Sequence, residues 1–278
     1  MPGHAEKVIR DFGDEWTTYS QDEVPAEELR SSFDDYFRII DLKALPPDCI
    51  AADIGCGSGR WAKLFHPHVA TLYCLEPSSA IEVAKRNLAS AHNIVFVRSE
   101  LESMPIPDGS LDFIYCLGVL HHLPDTQAGI NACASKLKAG GRMLAYIYYS
   151  LENQPFWFRA LWHASSAIRL LVCRLPHRMK IAATVLIAGL VYYPLSQASK
   201  LIERLGADVT NFPLSYYRHK SFYTMKTDAL DRFGTSLERR FTQQEIRTML
   251  TKAGFEDITF SSGKPYWCVT GVKTPRPL

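Results

Sequence analysis

Apolar and polar positions follow two different rhythms along this chain, and the change of rhythm marks its organisation. Between Glu27 and Leu42, EELRSSFDDYFRIIDL sets Leu29, Phe33, Tyr36, Phe37 and Ile40 at helical spacing, and Pro46-Pro47 stops any helix there. From Cys49 short apolar runs take over. CIAADIG reads as a strand feeding a turn, SGRWAKLF as a helix and ATLYCLEP as a second strand. SSAIEVAKRNLASA predicts a second helix with Ser78 or Ser79 as its N-cap; NIVFVRS and SLDFIYCLGVL predict the third and fourth strands. GINACASKLKAGG predicts a helix stopped by its glycines, and GRMLAYIYYS a fifth strand. Strands alternating with helices imply right-handed βαβ units and a parallel sheet. Strands that are apolar almost throughout imply a sheet covered on both faces.

After Ser150 the alternation stops, and residues 151–240 read as helical and aromatic-rich. The α/β rhythm resumes near Thr242, which caps FTQQEIRTMLTKAGF with Glu245 completing a capping box. Gly254 ends that helix, and FEDITF and YWCVTGVK predict two closing strands. The expected fold class is α/β, a Rossmann-like, mostly parallel sheet. Its expected parts are an N-terminal helical cap (1–46), a cofactor-binding core (47–150), a helical lid or acceptor insertion (151–240) and a C-terminal completion of the sheet (241–278). The insertion carries Phe156, Trp157, Phe158, Trp162 and the fifteen-residue apolar run Ile181 to Leu195, which ends at Pro194. That run is shorter than the roughly 18–20 residues needed to cross a bilayer, so a buried or lid-forming helix and no stable membrane insertion are expected. Contact with a membrane or a lipid-like substrate is the alternative. So much apolar surface must be covered; the expectation is that it roofs an acceptor pocket, with a homodimer through the insertion as the competing reading.

Composition narrows the partners. The 278 residues hold 31 basic and 29 acidic side chains, a net charge of +2, far from the basic excess of a chain that tracks phosphates, so no nucleic-acid partner is expected. Seven scattered cysteines without a CxxC suggest neither a disulfide framework nor a zinc site. With no apolar stretch in MPGHAEKVIRDFGDEW to serve as a signal peptide, the expected location is cytoplasmic. His66-Pro-His68 lacks carboxylate or thiolate partners, so no metal is expected.

Candidate chemistry starts at the end of the first strand, Asp53-Ile54-Gly55-Cys56-Gly57-Ser58-Gly59. Glycines at alternate positions permit a tight turn and close approach of backbone to a ligand, at the sheet edge where open α/β folds bind. Gly57-Ser-Gly59-Arg-Trp-Ala62 also satisfies the GxGxxA fingerprint of dinucleotide sites. Glu76, ending the second strand, suits a ribose diol in either case. These residues alone leave a nicotinamide-dependent oxidoreductase open.

The following segments extend the pattern. Ser99-Glu100-Leu101 stands before Met104-Pro105, Asp112 lies in the fourth strand ahead of GVLHHLPD, and LKAGG precedes the fifth strand. With ADIGCGSGR and Glu76, these five elements in order resemble the class I S-adenosylmethionine-dependent methyltransferases, over about 47–150 and again over 241–272. FGDEW and the closing YWCVTG resemble a bacterial small-molecule subgroup. The resemblance implies S-adenosylmethionine as cofactor, S-adenosylhomocysteine as product and a small-molecule acceptor. It implies that Gly55, Cys56, Gly57 and Gly59 face the cofactor's amino-acid part and ribose. Asp53 would orient that turn or hold the ammonium through water, and Glu76 would bind the ribose diol. Pro77 and Leu101 would sandwich the adenine, Glu100 would accept from its amino group, and the backbone at Cys116 and Leu117 would accept from the ammonium. Two positions depart from the pattern: Glu100 stands where Asp is usual, and Ala139 where Pro is usual.

Methyl transfer needs an aligned nucleophile and, for a protonated one, a base near neutral pKa. His121 and His122 follow the fourth strand at the active edge and are the first candidates, with a structural role as the plainer alternative. The insertion offers His219 as a further catalytic candidate: the stretch Ser215 to Tyr223 gathers it with Tyr216, Tyr217, Arg218 and Tyr223, and lines an acceptor site or, alternatively, anchors a surface loop. Trp16 and Tyr19 suit the entrance of the cofactor site, or simple packing of the N-terminal helix. A methyltransferase-like binding protein without catalysis is the remaining alternative.

Overall fold

The computed structural model describes residues 2–152 and 154–275; Asn153 and the outer ends of the expected 1–46 and 241–278 segments lie outside the described residues. Helices α1 (Pro2–Thr18) and α2 (Ala26–Phe37) lead into β1 (Ile50–Ile54), α3 (Ala62–Phe65), β2 (Thr71–Leu75), α4 (Ala80–Asn87) and β3 (Ile94–Val97). Then come β4 (Leu111–Leu117), α5 (Thr126–Lys136) and β5 (Leu137–Tyr146). A helical stretch follows: α6 (Phe156–Val172), α7 (His177–Ile187), α8 (Tyr193–Arg204) and α9 (Phe222–Gly234). Helix α10 (Gln243–Lys252) and strands β6 (Phe255–Phe260) and β7 (Cys268–Lys273) close the chain.

The chain packs as two compact units. One holds the residues up to Ser20, Leu29–Ser150 and those from Leu237 on; the other holds Gln21–Glu28 and Leu151–Ser236. The expected 1–46 cap is therefore divided. Most of it belongs to the sheet unit: Phe33 and Phe37 of α2 are buried, and Phe37 lies 5.5 Å from Phe65 of α3 and 5.3 Å from Tyr115 of β4, ring centre to ring centre.

The sheet runs β3-β2-β1-β4-β5-β7-β6. The first five strands are mutually parallel, and β7 lies antiparallel between β5 and β6, with Tyr146 opposite Cys268. A dinucleotide-binding sheet has the order 3-2-1-4-5-6; the antiparallel β7 inserted before the edge strand departs from it. Ala52, Ile114, Cys116 and Ala145 are buried under Ile130 and Cys133 of α5 and Ile246 and Leu250 of α10. The capping box at Thr242 and Glu245 forms as expected, and Gly254 ends α10 at φ +81°.

Two local readings change, and the choice between Ser78 and Ser79 is resolved. Helix α5 ends at Lys136 and is not stopped by the glycines. Leu137 is already extended and pairs with Leu111, and Gly140 and Gly141 sit where the register jumps between the Leu111 and Phe113 pairings. A side chain on Gly141 would come within 2.9 Å of the Lys138 carbonyl. At α4 the side chain that reaches a free backbone N–H is that of Ser78, accepting from Ala80 N at 3.1 Å, one residue before the helix N-cap at Ser79. The second change is larger. The apolar run does not end at Pro194 but continues as one 28-residue helix, His177–Arg204. A π turn over Ala188–Tyr192 joins α7 to α8 and places Pro194 in the first turn of α8, where a missing N–H costs little. By length and composition this helix is apolar enough to cross a membrane.

The second unit builds a small core of its own from Val172, Ala188, Tyr192, Met225, Ala229 and Phe233.

Candidate cofactor and acceptor site of the sheet unit

The turn after β1 takes its shape from three glycines with positive φ: Gly55 at 71°, Gly57 at 54° and Gly59 at 79°. Its first N–H groups are not spare. Gly55 and Cys56 both donate to the Leu75 carbonyl, at 2.8 and 3.0 Å, which ties the turn to the end of β2. A Cβ at Gly55 would meet Val119 at 2.4 Å, and one at Gly57 would meet the indole of Trp16 at 3.0 Å. Trp16 thus lies against the turn, its ring 5.1 Å from the Arg60 guanidinium.

Two carboxylates flank the turn. Glu76 is buried, and both its oxygens are engaged: Oε2 accepts from Gly57 N at 3.2 Å, Oε1 from Ser78 N at 3.0 Å and Ser78 Oγ at 2.5 Å. Burial raises its pKa, opposed by those bonds. Asp53 is 1% exposed and burial pushes its pKa up to about 8; hydrogen bonding from Tyr115 opposes this, the Glu76 charge adds to it and Arg60 opposes it. Among the described residues no donor meets its Oδ2 in good hydrogen-bond geometry, although the Tyr115 hydroxyl lies near enough to favour the ionised form. A buried acceptor left open beside a glycine turn is a fitting place for an ammonium or its bridging water. These residues therefore fit S-adenosylmethionine.

Beyond the turn, a cleft of about 670 Å³ is lined by Gly13 and Asp14 of α1 and by Pro77, Ser79 and Glu100 from the loops after β2 and β3. The expected adenine partners Pro77 and Glu100 thus come together. Leu101 does not join them in the cleft lining; it is 5% exposed and packs in the core cluster under α5. Cys116 and Leu117 are buried at the end of β4, and Tyr19 is buried just after α1.

The two histidines separate. His121 is wholly buried, its ring stacked on Tyr148 at 3.7 Å, with Nδ1 accepting from Tyr148 N at 3.3 Å. Burial holds its pKa well below the ordinary value, with His122 and Arg240 adding to the effect. It is a neutral ring that supports the strand end. In His122, Nδ1 lies 2.6 Å from the Leu237 carbonyl. A carbonyl only accepts, so Nδ1 carries the proton and Nε2 is the basic atom. Phe12 of α1 packs edge-on against this ring at 4.8 Å.

An aromatic row near the carboxyl ends of the strands was not foreseen. Tyr146, ending β5, meets Tyr36 at 5.0 Å and Tyr148 at 5.6 Å, and Tyr36 meets Trp61 at 4.9 Å. The signal was present in AYIYYS, where strand period two puts Tyr146 and Tyr148 on one face.

The remaining expected residues lie in the helical unit and are already committed there. Glu203 holds both Arg218, at 2.8 Å, and His219, at 3.1 Å. Tyr217 donates to Asp228 at 2.9 Å, the Tyr223 hydroxyl accepts from Gln21 N at 3.0 Å, and the Lys220 ammonium sits 5.2 Å over the Tyr216 ring.

Residues 52–145, from within β1 almost to the end of β5, match the methyltransferase-domain family. The ubiquinone biosynthesis O-methyltransferase of Coxiella burnetii is 31% identical over 106 residues, 37% of this chain and 44% of that protein. The mouse (Mus musculus) protein named "Probable tRNA methyltransferase 9B" is 30% identical over 148 residues, 45% of this chain and 32% of that protein. The chain thus spans less than half the length of these curated relatives. A solved structure of a methyltransferase of unproven activity from Bacillus halodurans superposes with a TM-score of 0.51 at 16% identity, covering 83% of this chain and 72% of the other. Family match, strand order and glycine turn agree, and they favour this reading over the nicotinamide alternative: residues 52–145 form a methyltransferase domain of the class I, S-adenosylmethionine-dependent type.

Proposed function

We propose that this chain transfers a methyl group from S-adenosylmethionine to an O, N or C nucleophile of a small, partly apolar acceptor, a reaction of the class EC 2.1.1. The observation that carries the cofactor half is the carboxylate pair at the glycine turn. Glu76 fixes the turn through Gly57 N, and Asp53 keeps an open acceptor beside it. The bound sulfonium supplies the methyl carbon and the leaving sulfur. The chain's own residues do the rest. Asp53 neutralises an ammonium, and Glu76 presents lone pairs to a ribose diol. Asp53, Glu76 and the Gly55–Gly59 turn would hold the cofactor so that its methyl group passes to the acceptor's lone pair, with the electrons of the broken bond staying on its sulfur. For an O or N acceptor, His122 Nε2 takes the released proton; a neutral His121 behind it supports Tyr148 and the strand end.

The relatives named above act, by their names, on a quinone precursor and on tRNA, so identity over this stretch tracks the shared cofactor unit and not the acceptor. The acceptor class rests on this chain's own surfaces. The partly buried row of Tyr36, Trp61, Tyr146 and Tyr148 suits an apolar or planar group better than a phosphate backbone. Outside residues 153–202 the chain has 25 basic side chains against 29 acidic, no field for a polyanion.

Titration calorimetry with S-adenosylmethionine, S-adenosylhomocysteine and NAD, followed by transfer of labelled methyl into small-molecule and RNA fractions of a cell extract, tests this reading. Binding of the first two ligands and label in the small-molecule fraction is the expected result. Label in RNA would overturn the acceptor class. Binding without transfer would leave a non-catalytic binding protein.

A further inference from the structure

The second unit is built with its polarity reversed. Along the helix His177–Arg204 the buried positions are Lys180, Thr184, Ala188, Tyr192, Ser196 and Ser199, four of the six carrying short hydroxyls or an ammonium. The opposite stripe holds Met179, Leu186, Leu190, Tyr193 and Leu201, each 49–74% exposed. A helix facing water shows the reverse arrangement. The stripe follows a helix about 42 Å long, taking 1.5 Å per residue. Helix α6 adds Phe156, Leu161 and Leu171, all more than half exposed.

Charge says what covers this surface. Residues 153–202 contain no Asp or Glu in fifty positions, yet carry six Arg or Lys. Arg159, Arg174 and Arg178 among them are exposed, and Arg204 follows at the end of α8. A second copy of the chain would bring the same patch against itself, because a two-fold interface must be self-complementary. This patch has cations and no acidic residue of its own to meet them; the nearby Glu203 is already held by Arg218 and His219. Apolar side chains interspersed with cations complement an anionic lipid surface.

The packing of the helix suits lying along such a surface, not crossing it. Its inner face packs on Met225, Ala229 and Phe233 of α9, so only one side is available to lipid. The stretch also leaves β5 and returns to α10 of one sheet unit, which a single crossing forbids.

We propose that the helical unit docks on an anionic bilayer surface, with the exposed stripe of α7 and α8 in the acyl boundary and Arg174 and Arg178 among the headgroups. The test is flotation of the full chain with two kinds of vesicle, phosphatidylcholine alone and phosphatidylcholine mixed with phosphatidylglycerol in roughly equal parts. The chain should float with the mixed vesicles, at least tenfold more than with the neutral ones, and lose that preference in high salt. Each basic residue near the surface contributes about 1 kcal/mol, a factor of about five. Arg174→Glu with Arg178→Glu should therefore weaken binding at least 25-fold, and Leu186→Glu with Leu190→Glu should abolish it. Both variants should keep the far-ultraviolet spectrum and melting temperature of the parent, which separates lost docking from lost folding. Failure of the parent to float with mixed vesicles at low salt overturns the proposal. So does an unaltered flotation of the arginine variant, or a dimer in light scattering that Leu186→Glu with Leu190→Glu converts to monomer while the parent ignores vesicles.

Discussion

In the sheet unit apolar side chains point inward; in the helical unit a large share point out. Fifteen large apolar side chains are exposed among the described residues, and fourteen of them lie between Phe156 and Phe222; Val95 is the exception. The difference shows that the two units solve different problems. A sheet covered on both faces is stabilised by burying its strands, whereas the helical unit keeps a core cluster of six buried apolar residues and leaves large apolar side chains exposed.

The sharpest way to break this comparison is to place the same charge in both units. Ile114→Glu puts an unpaired carboxylate at a wholly buried strand position. It should cost about 5 kcal/mol or more, enough to unfold a chain of ordinary stability. Leu190→Glu, at a position 74% exposed, should change stability by no more than about 0.5 kcal/mol. Urea unfolding of the two variants measures both, and equal losses would show that the outward stripe is covered after all.

A second contrast sets two carboxylates side by side. Glu76→Ala removes the acceptor of Gly57 N, Ser78 N and Ser78 Oγ, so it should cost about 1–3 kcal/mol of fold stability as well as about 1.5–3 kcal/mol of S-adenosylmethionine affinity. Calorimetry and thermal unfolding read the two separately. An intact fold with normal affinity would remove Glu76 from the site.

Asp53→Asn tests the open acceptor. Asp53 has a folded pKa of about 8 against an ordinary 3.8, so the native state holds its proton where the unfolded chain has lost it. Native stability then falls as pH rises from about 4 towards 8. The Asn variant cannot ionise, so its melting temperature should gain on the parent between pH 5 and pH 8 (values chosen inside that window). An ammonium beside Asp53 favours the ionised form. S-adenosylmethionine binding should therefore release a proton near neutral pH, seen as a binding enthalpy that varies with the buffer. A pH-independent difference between the two proteins would place Asp53 as an ordinary ionised carboxylate.

The smallest effect is expected at Glu203. It is partly exposed, and its pairs with Arg218 and His219 are screened by solvent. Glu203→Gln should leave the melting temperature nearly unchanged and independent of salt. A large, salt-sensitive loss would mean that this cluster organises the helical unit.

Much of the sheet unit was legible because its signals are local. Apolar strands, glycine turns and the Thr242 capping box each fix a few neighbouring residues, and they do so in the structure as in the sequence. The glycines of LKAGG misled because a glycine pair serves a strand irregularity as readily as a helix end, and only the pairing of Leu137 with Leu111 decides. Pro194 misled for a related reason: a π turn before it turns a helix stop into a helix start. The candidate site was legible where a motif carries it, at Gly55–Gly59, Asp53 and Glu76. It was not legible at Tyr36, Trp61 and Tyr146, which come from three elements and meet only through tertiary packing. The aromatic-basic run from Tyr216 to Tyr223 shows the reverse error. Its chemistry was visible, but its partners Glu203, Asp228 and Gln21 were not.

Inside the sheet unit, the segments that flank the helical stretch in sequence are tied to each other. Tyr149 bridges to Phe241, Phe241 N donates to the Tyr148 carbonyl at 2.9 Å, and Ser150 N donates to the Phe241 carbonyl at 3.0 Å. Two chain ends held that close make a natural graft point. More than eighty residues hang between them, yet a linker of a few residues would span the gap if they were removed. The sheet unit and the helical stretch can then be inherited, lost or exchanged as separate modules.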